Sequence, residues 1–317
     1  MGLHLKKGCG YFSTQPKEVG FVPIKNYKLH YEIHGHGEIK LVFIMGMMSS
    51  MASWEPNLHH FANLNGDKYT CLVFDNRGMG YSTNGTFERY TTKELAKDAA
   101  SLLEHIGWDE YRSLHLCGIS MGGMISQELA LMMPDRFKSV TLLATCAKHQ
   151  SPKDRVHIMF QTLKPPITKR MYAENYINMV LSDEKWASQP NPRFPQYKSN
   201  LDYAISDMLA RMNDGSPLPG LPTFVGHGLA VLTHNVSNND LIKLGIHIPE
   251  ILIITGELDK MIDKDCSRLL AKHTGGKCFI LEGKGHGIML EADDVVNAEM
   301  VKIIDEGERR WSNINTI

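Results

Sequence analysis

The chain has 317 residues, with 34 Lys plus Arg against 35 Asp plus Glu, a formal net charge of −1, 43% hydrophobic and 22% charged residues. This length buries a sizeable core in one large domain or two ordinary ones. The charge balance excludes a general nucleic-acid binder and a polybasic membrane-surface protein, and the apolar content excludes disorder over most of the chain.

Residues 1–18 read as a flexible N-terminal segment. It carries Lys6 and Lys7 but no apolar stretch of signal-peptide length. Lys6 occupies the place where N-myristoylation of Gly2 would need Ser or Thr. Lys6, Lys7 and Ser13 precede the first acidic residue, Glu18, which leaves organelle import open. No later run approaches the roughly 18 apolar residues of a membrane helix, so stable membrane insertion is not expected. Cys9, Cys71, Cys117, Cys146, Cys266 and Cys278 are scattered and form no C-x-x-C pair. They read as thiols in an intracellular, cytoplasmic setting, where the sequons at Asn84 and Asn235 carry no meaning.

Val19 to Pro23 and Tyr27 to His34 read as two strands joined at Asn26. Ile39 to Met45 and Tyr69 to Phe74 are continuous apolar runs, the pattern of strands buried on both faces. Thr92 to His105 has helical period, with Leu95, Ala99, Leu102, Leu103 and Ile106 in one stripe, Thr91 or Thr92 as cap and Gly107 as stop. Arg112 to Cys117 is a strand that runs into a helix ending near Pro134, and Ser139 to Ala144 is another strand. Glu250 to Thr255 and Lys277 to Leu281 are strands flanking a helix near Lys264 to His273, and Asp294 to Glu306 is a final helix. Strands alternating with helices predict an α/β fold with a mostly parallel, doubly wound sheet.

The rhythm breaks over residues 147–236, which hold nine of the 14 prolines and no buried-strand run. A structureless loop of this length is improbable inside a compact domain. With helical pattern at Lys169 to Leu181 and Leu201 to Met212, the segment reads as a helical cap inserted between core parts 19–146 and 237–317. It should cover the ends of the strands, where open parallel sheets bind ligands.

Gly118-Ile119-Ser120-Met121-Gly122 matches G-x-S-x-G between an apolar strand and an apolar helix. In that setting the turn is tight enough to demand both glycines, and it pushes a nucleophilic hydroxyl out at the strand end. The bland alternative is a Gly-rich turn with a Ser helix cap. A serine nucleophile needs a base, and His286 sits among glycines after the last strand. The base needs a carboxylate, and Asp259 follows the strand at 250–255, with Asp263 and then Glu257 as alternatives. The order Ser120, Asp259, His286 is one of the known serine-triad orders. Oxyanion donors are expected at the N–H of Met121 and at the N–H of Met47, beyond the Ile39 to Met45 strand. The alternative for the Met45–Met48 loop is core packing.

These pieces, with Asp75 to Ser82, resemble the α/β-hydrolase superfamily, in its capped single-domain serine-hydrolase form. Met45-Gly46 replaces the His-Gly of many members and is similar to a branch of small esterases and lactonase-like enzymes. The resemblance implies catalytic roles for Ser120, Asp259 and His286 and oxyanion roles for Met47 and Met121. Asp75 to Ser82 would be structural. It implies hydrolysis of a small-molecule ester through an acyl-enzyme, without metal or organic cofactor. Met48, Met159, Trp186, Met208 and Met212 are candidates for an apolar pocket wall that would weakly favour an apolar acyl or lipid-like ester. They could equally form the cap's own core, and His227 and His234 could touch substrate or be structural. A thioesterase, an acyltransferase, a cofactor-free C–C hydrolase or a haloperoxidase-like enzyme would use the same triad. A ligand-sensing receptor of this fold would retain it with little turnover.

Overall fold

The computed structural model describes residues 13–84, 89–148, 168–213 and 219–312. Its centre is one eight-stranded sheet: β1 Pro16–Ile24, β2 Tyr27–Gly35, β3 Ile39–Ile44, β4 Tyr69–Phe74, β5 Leu114–Ile119, β6 Phe137–Leu143, β7 Ile251–Gly256 and β8 Lys277–Leu281. The spatial order is β1-β2-β4-β3-β5-β6-β7-β8. β1 and β2 pair antiparallel, β2 pairs antiparallel with β4, and every other neighbouring pair is parallel. β1 starts at Pro16, ahead of the expected Val19, so part of the segment read as flexible already lies in the sheet.

Alternation along the strands sends one side-chain set to each face. Val42, Ile44, Leu116, Leu142 and Ile253 join the core beneath helices α1 (Thr92–His105) and α2 (Met121–Met132). Leu41, Phe43, Cys117, Leu143 and Ile254 join a second core with Trp54, Phe61 and the last helix, Asp293–Ser312. Each face therefore has its own apolar cluster, which is why these strands read as unbroken apolar runs. α1 opens on a capping box: Thr91 Oγ1 accepts from the Glu94 N–H, and Glu94 accepts from the Thr91 N–H. It stops at Gly107, whose φ of +70° suits glycine. The five described cysteines, Cys71, Cys117, Cys146, Cys266 and Cys278, are thiols.

The insert's two ends lie side by side. Lys148 and Asn235 form an antiparallel bridge, and the Val236 N–H donates to the Ala147 carbonyl at 2.8 Å. Its described helices are α3 Lys169–Val180, α4 Glu184–Ser188, α5 Asn200–Asn213 and α6 Leu221–Thr233. α3 and α5 pack on each other through Ile177, Val180, Leu181 and Ala204, a cluster separate from the sheet's cores. α6 differs: Ala230 and Val231 belong to the core over α1 and α2. Among the described residues, no helix is long and apolar enough to cross a membrane.

The order of strands positions the site. From β3 the chain steps to β4 on one side and then returns to β5 on the other. The loops after β3 and β5 therefore part at the carboxyl edge and leave a crevice there.

Candidate active site

Ser120 sits between the end of β5 and the start of α2 with φ +55° and ψ −121°. A non-glycine residue in such a conformation costs on the order of 1–3 kcal/mol, and the surroundings hold it there. The Ser120 N–H donates to the Leu143 carbonyl at 2.9 Å. Its carbonyl accepts from Thr145 Oγ1 at 2.7 Å and from the Met124 N–H at 3.1 Å. The flanking glycines are steric necessities. A Cβ on Gly118 would lie 2.3 Å from the Gly122 carbonyl oxygen, and one on Gly122 would lie 2.0 Å from that of Ile44.

His286 lies on the loop after β8, and Asp259 on the loop after β7. Asp259 Oδ2 is 2.8 Å from His286 Nδ1. The carboxylate is fully shielded and the imidazole 7% exposed, so little water competes for the pair. Asp259 Oδ1 accepts from the N–H groups of Met261 (2.8 Å) and Ile262 (3.0 Å), which fixes the carboxylate plane. A carboxylate on Nδ1 selects the tautomer that leaves Nε2 as acceptor. The alternatives are committed elsewhere: Asp263 caps the helix Lys264–Thr274 and Glu257 pairs with Lys264.

Ser120 and His286 line one cavity of about 1120 Å³ between the strand ends and the cap. Met47 lines it as well, on the turn after β3. Gly46 brings that turn against the elbow, since a Cβ there would be 3.2 Å from Ser120 Cβ. Met121 is fully buried and is the first residue of α2. Its N–H is one of the four that a helix leaves without an internal acceptor, at the positive end of the dipole. Neither the Met47 nor the Met121 N–H meets an acceptor among the described residues.

Of the proposed pocket wall, Met48, Met208 and Met212 line the cavity, and Met159 lies outside the described residues. Trp186 departs from expectation: it packs on the cap's own cluster of Ile177, Val180 and Ala204 and is absent from the cavity wall. An aromatic on a short helix such as α4 gave no sign in the sequence of which side it would cover.

Two residues support the site: His227, which the sequence offered as either a substrate contact or a structural group, and Glu291, which it did not offer. His227, on α6, is fully buried; its Nδ1 accepts from the Met48 N–H at 3.3 Å and its Nε2 faces the Arg77 carbonyl at 3.1 Å. The ring is therefore neutral, and burial, with the nearby Arg77 charge, holds its pKa down to about 4. It ties the cap's last helix to the turn carrying Met47, next to Met48 at φ +58°. His234 bonds Thr92 Oγ1 at 2.8 Å and lies away from the cavity wall. Glu291, 3% exposed, accepts from the N–H groups of Gly285 (2.5 Å), Ser182 (2.6 Å) and Asp183 (2.8 Å). It thereby clamps the His286 loop to the cap segment after α3. Its one available signal was an acid following the apolar run Ile288 to Leu290.

Asp75 anchors the neighbouring turn: Oδ1 accepts from the Met51 N–H at 2.8 Å and Oδ2 from the Tyr81 N–H at 3.1 Å. The turn it anchors also lends Met79 and Gly80 to the cavity wall. Among the described residues, no group of three or more His, Cys, Asp or Glu is arranged to hold a metal ion.

Comparison with known proteins agrees with this architecture. The model of the alpha/beta hydrolase fold family matches residues 40–293. The 3-oxoadipate enol-lactonase 2 of Acinetobacter baylyi is 32% identical over 108 residues, covering 34% of this chain and 38% of that one. The uncharacterized hydrolase YugF of Bacillus subtilis is 26% identical over 280 residues, covering 88% of this chain and 93% of that one. A thermophilic esterase from Thermogutta terrifontis superposes with a TM-score of 0.71 at 18% identity, over 92% of this chain and 99% of that one. The alignments above 30% identity span about two fifths of those relatives' own length. The chain belongs to the alpha/beta hydrolase fold family.

Proposed function

We propose that the chain is a serine hydrolase that cleaves a carboxylic ester through Ser120, His286 and Asp259. The observation that carries this reading is the fixed Asp259–His286 pair, 2.8 Å apart, on the same cavity as a serine held at φ +55°. Ser120 Oγ gives its proton to His286 Nε2 as it bonds the ester carbonyl carbon. The oxyanion forms where the N–H groups of Met47 and Met121 have no other acceptor. His286 then protonates the alkoxide as its C–O bond breaks, which leaves the acyl group on Ser120. Water enters, gives a proton to His286 and attacks the acyl carbon; Ser120 recovers the proton on release of the acid. Asp259 stabilises the imidazolium in both halves.

The methionine-rich wall, with Met47, Met48, Met208, Met212 and Met289, supports an apolar acyl group as substrate. One relative is named for a lactone and one structural neighbour for esterase activity, which agrees with an ester. The test is hydrolysis of p-nitrophenyl esters of increasing chain length by wild type and Ser120→Ala, with fluorophosphonate labelling of both. Turnover and labelling that both vanish in Ser120→Ala fit the reading. A folded protein whose Ser120 neither labels nor turns over any ester contradicts it. Labelling without turnover across all chain lengths points to a ligand-sensing role.

A further inference from the structure

A connected polar stripe runs along the wall of the methionine-rich cavity. On α5, Arg211 forms an ion pair with Asp207 one turn away, their side chains 15% and 23% exposed. Arg211 Nη1 donates to Ser53 Oγ at 3.0 Å, and Ser53 Oγ lies 2.7 Å from Ser49 Oγ. The Tyr176 phenol of α3 lies next to Ser49 on the same wall. All five side chains line the cavity. The stripe begins two residues beyond Met47, beside the proposed reaction centre, and runs up into the cap.

An ion pair taken out of water gains little over an apolar packing of the same volume. Nothing in the packing of a pocket built only for a hydrocarbon chain calls for one on its wall. The pair also sets donors beside acceptors: Asp207 engages Arg211 through Oδ2 and its carboxylate can accept further hydrogen bonds, while the serine hydroxyls and the Tyr176 phenol can each give or take one. The other charged cap residue on the cavity, Lys169, is exposed and donates to the Met212 carbonyl and to Asn213 Oδ1.

Resting on the ester-hydrolase reading above, we infer that the preferred substrate is an ester with an uncharged hydroxyl on its chain, held by the Asp207–Arg211–Ser53–Ser49–Tyr176 stripe. A hydroxyl can donate to Asp207 and accept from the stripe at once. Asp207 and Arg211 already neutralise each other, so a carboxylate or an ammonium gives up its water without gaining an uncompensated counter-charge. The apolar remainder of the chain lies along the methionines.

The experiment compares kcat/KM for ethyl hexanoate with ethyl esters carrying a hydroxyl at successive chain positions, followed by pH-stat. Monoethyl adipate and ethyl 6-aminohexanoate supply the charged analogues. At one or more positions the hydroxyl should raise kcat/KM about tenfold, the effect of roughly one well-placed hydrogen bond. Both charged analogues should fall below ethyl hexanoate. In the Asp207→Leu/Arg211→Met double variant the ratio of hydroxylated to plain ester should drop to about one, whatever the absolute rates. No gain at any position, or a gain retained in the double variant, overturns the inference. A second measurement stands apart from catalysis: binding of 1-hexanol and 1,6-hexanediol, followed by NMR of the methionine methyl groups. A purely apolar wall prefers 1-hexanol; the stripe should reverse that preference, and the double variant should restore it. An absence of reversal overturns the stripe even if Ser120 proves active. Loss of ester turnover and Ser120 labelling, with the reversal intact, overturns the ester reading and leaves the hydroxyl site standing.

Discussion

Replacing His227 with Leu removes one acceptor and one donor from the base of the cap without touching the reacting atoms. The Met48 N–H at 3.3 Å and the Arg77 carbonyl at 3.1 Å both lose their partner in a fully buried place. Each unpaired buried group costs about 1–3 kcal/mol, so the variant should be destabilised by about 2–6 kcal/mol at pH 7.5. The deficit should depend on pH. Burial holds the folded-state pKa of His227 down to about 4, against about 6.5 in the unfolded chain. Between these values the unfolded state binds more protons, so this contribution is full above about pH 6.5 and is lost as pH falls toward about 4. The wild type should lose about 2–3 kcal/mol on this account by pH 4.5, and the variant none of it. Other titrating groups, buried His115 among them, are common to both proteins and cancel in the difference. Urea denaturation of both proteins at pH 7.5, 5.5 and 4.5 measures this, and the gap between them should narrow steadily. A gap that stays constant, or widens toward acid, refutes the neutral, doubly bonded imidazole. Activity gives a second reading. A loosened Met47–Met48 turn misplaces one proposed oxyanion donor, so kcat should fall about 10–100-fold with little change in KM.

Asp259→Asn keeps an acceptor for the Met261 and Ile262 N–H groups but turns an amide toward His286 Nδ1, imposing the wrong tautomer. Its kcat should fall about 10³–10⁴-fold with stability nearly unchanged, read by steady-state kinetics and thermal melting. Gly122→Ala drives a methyl to 2.0 Å from the Ile44 carbonyl, a backbone atom that cannot swing away. The elbow should reshape and fluorophosphonate labelling of Ser120 should be lost even where circular dichroism reports a folded chain. Glu291→Ala leaves three backbone N–H groups unpaired at the junction of cap and His286 loop. It should cost upward of about 3 kcal/mol in stability, and Glu291→Gln should recover part of that.

The inner strands were legible because burial on both faces writes itself as unbroken apolar runs: Tyr69–Phe74, buried throughout, falls where the sequence placed it, as does the half-buried edge strand Lys277–Leu281. The elbow was legible because its steric demands leave only glycine at 118 and 122. Other parts hid for physical reasons. The helices Leu221–Thr233 and Asn238–His247 were not singled out. The first of them carries Gly226, Gly228 and several β-branched residues, poor helix formers that packing against the core overrides. Trp186, a candidate for the cavity wall or for the cap's own core, belongs to the latter, since composition does not say which side of a short helix faces inward. The polar stripe could not be read at all. Ser49 and Ser53 meet Tyr176 and Arg211 only once the cap closes over the sheet, more than a hundred residues on.

The most direct test is to look for the acyl group itself. Protein mixed with excess p-nitrophenyl ester, quenched in acid within milliseconds to seconds and digested, is weighed peptide by peptide. The mechanism predicts one acyl mass on the peptide containing Ser120, released with the rate constant of slow turnover and absent in Ser120→Ala. Turnover with no acyl mass at Ser120 at any time, under conditions where p-nitrophenol is released in a burst, contradicts it.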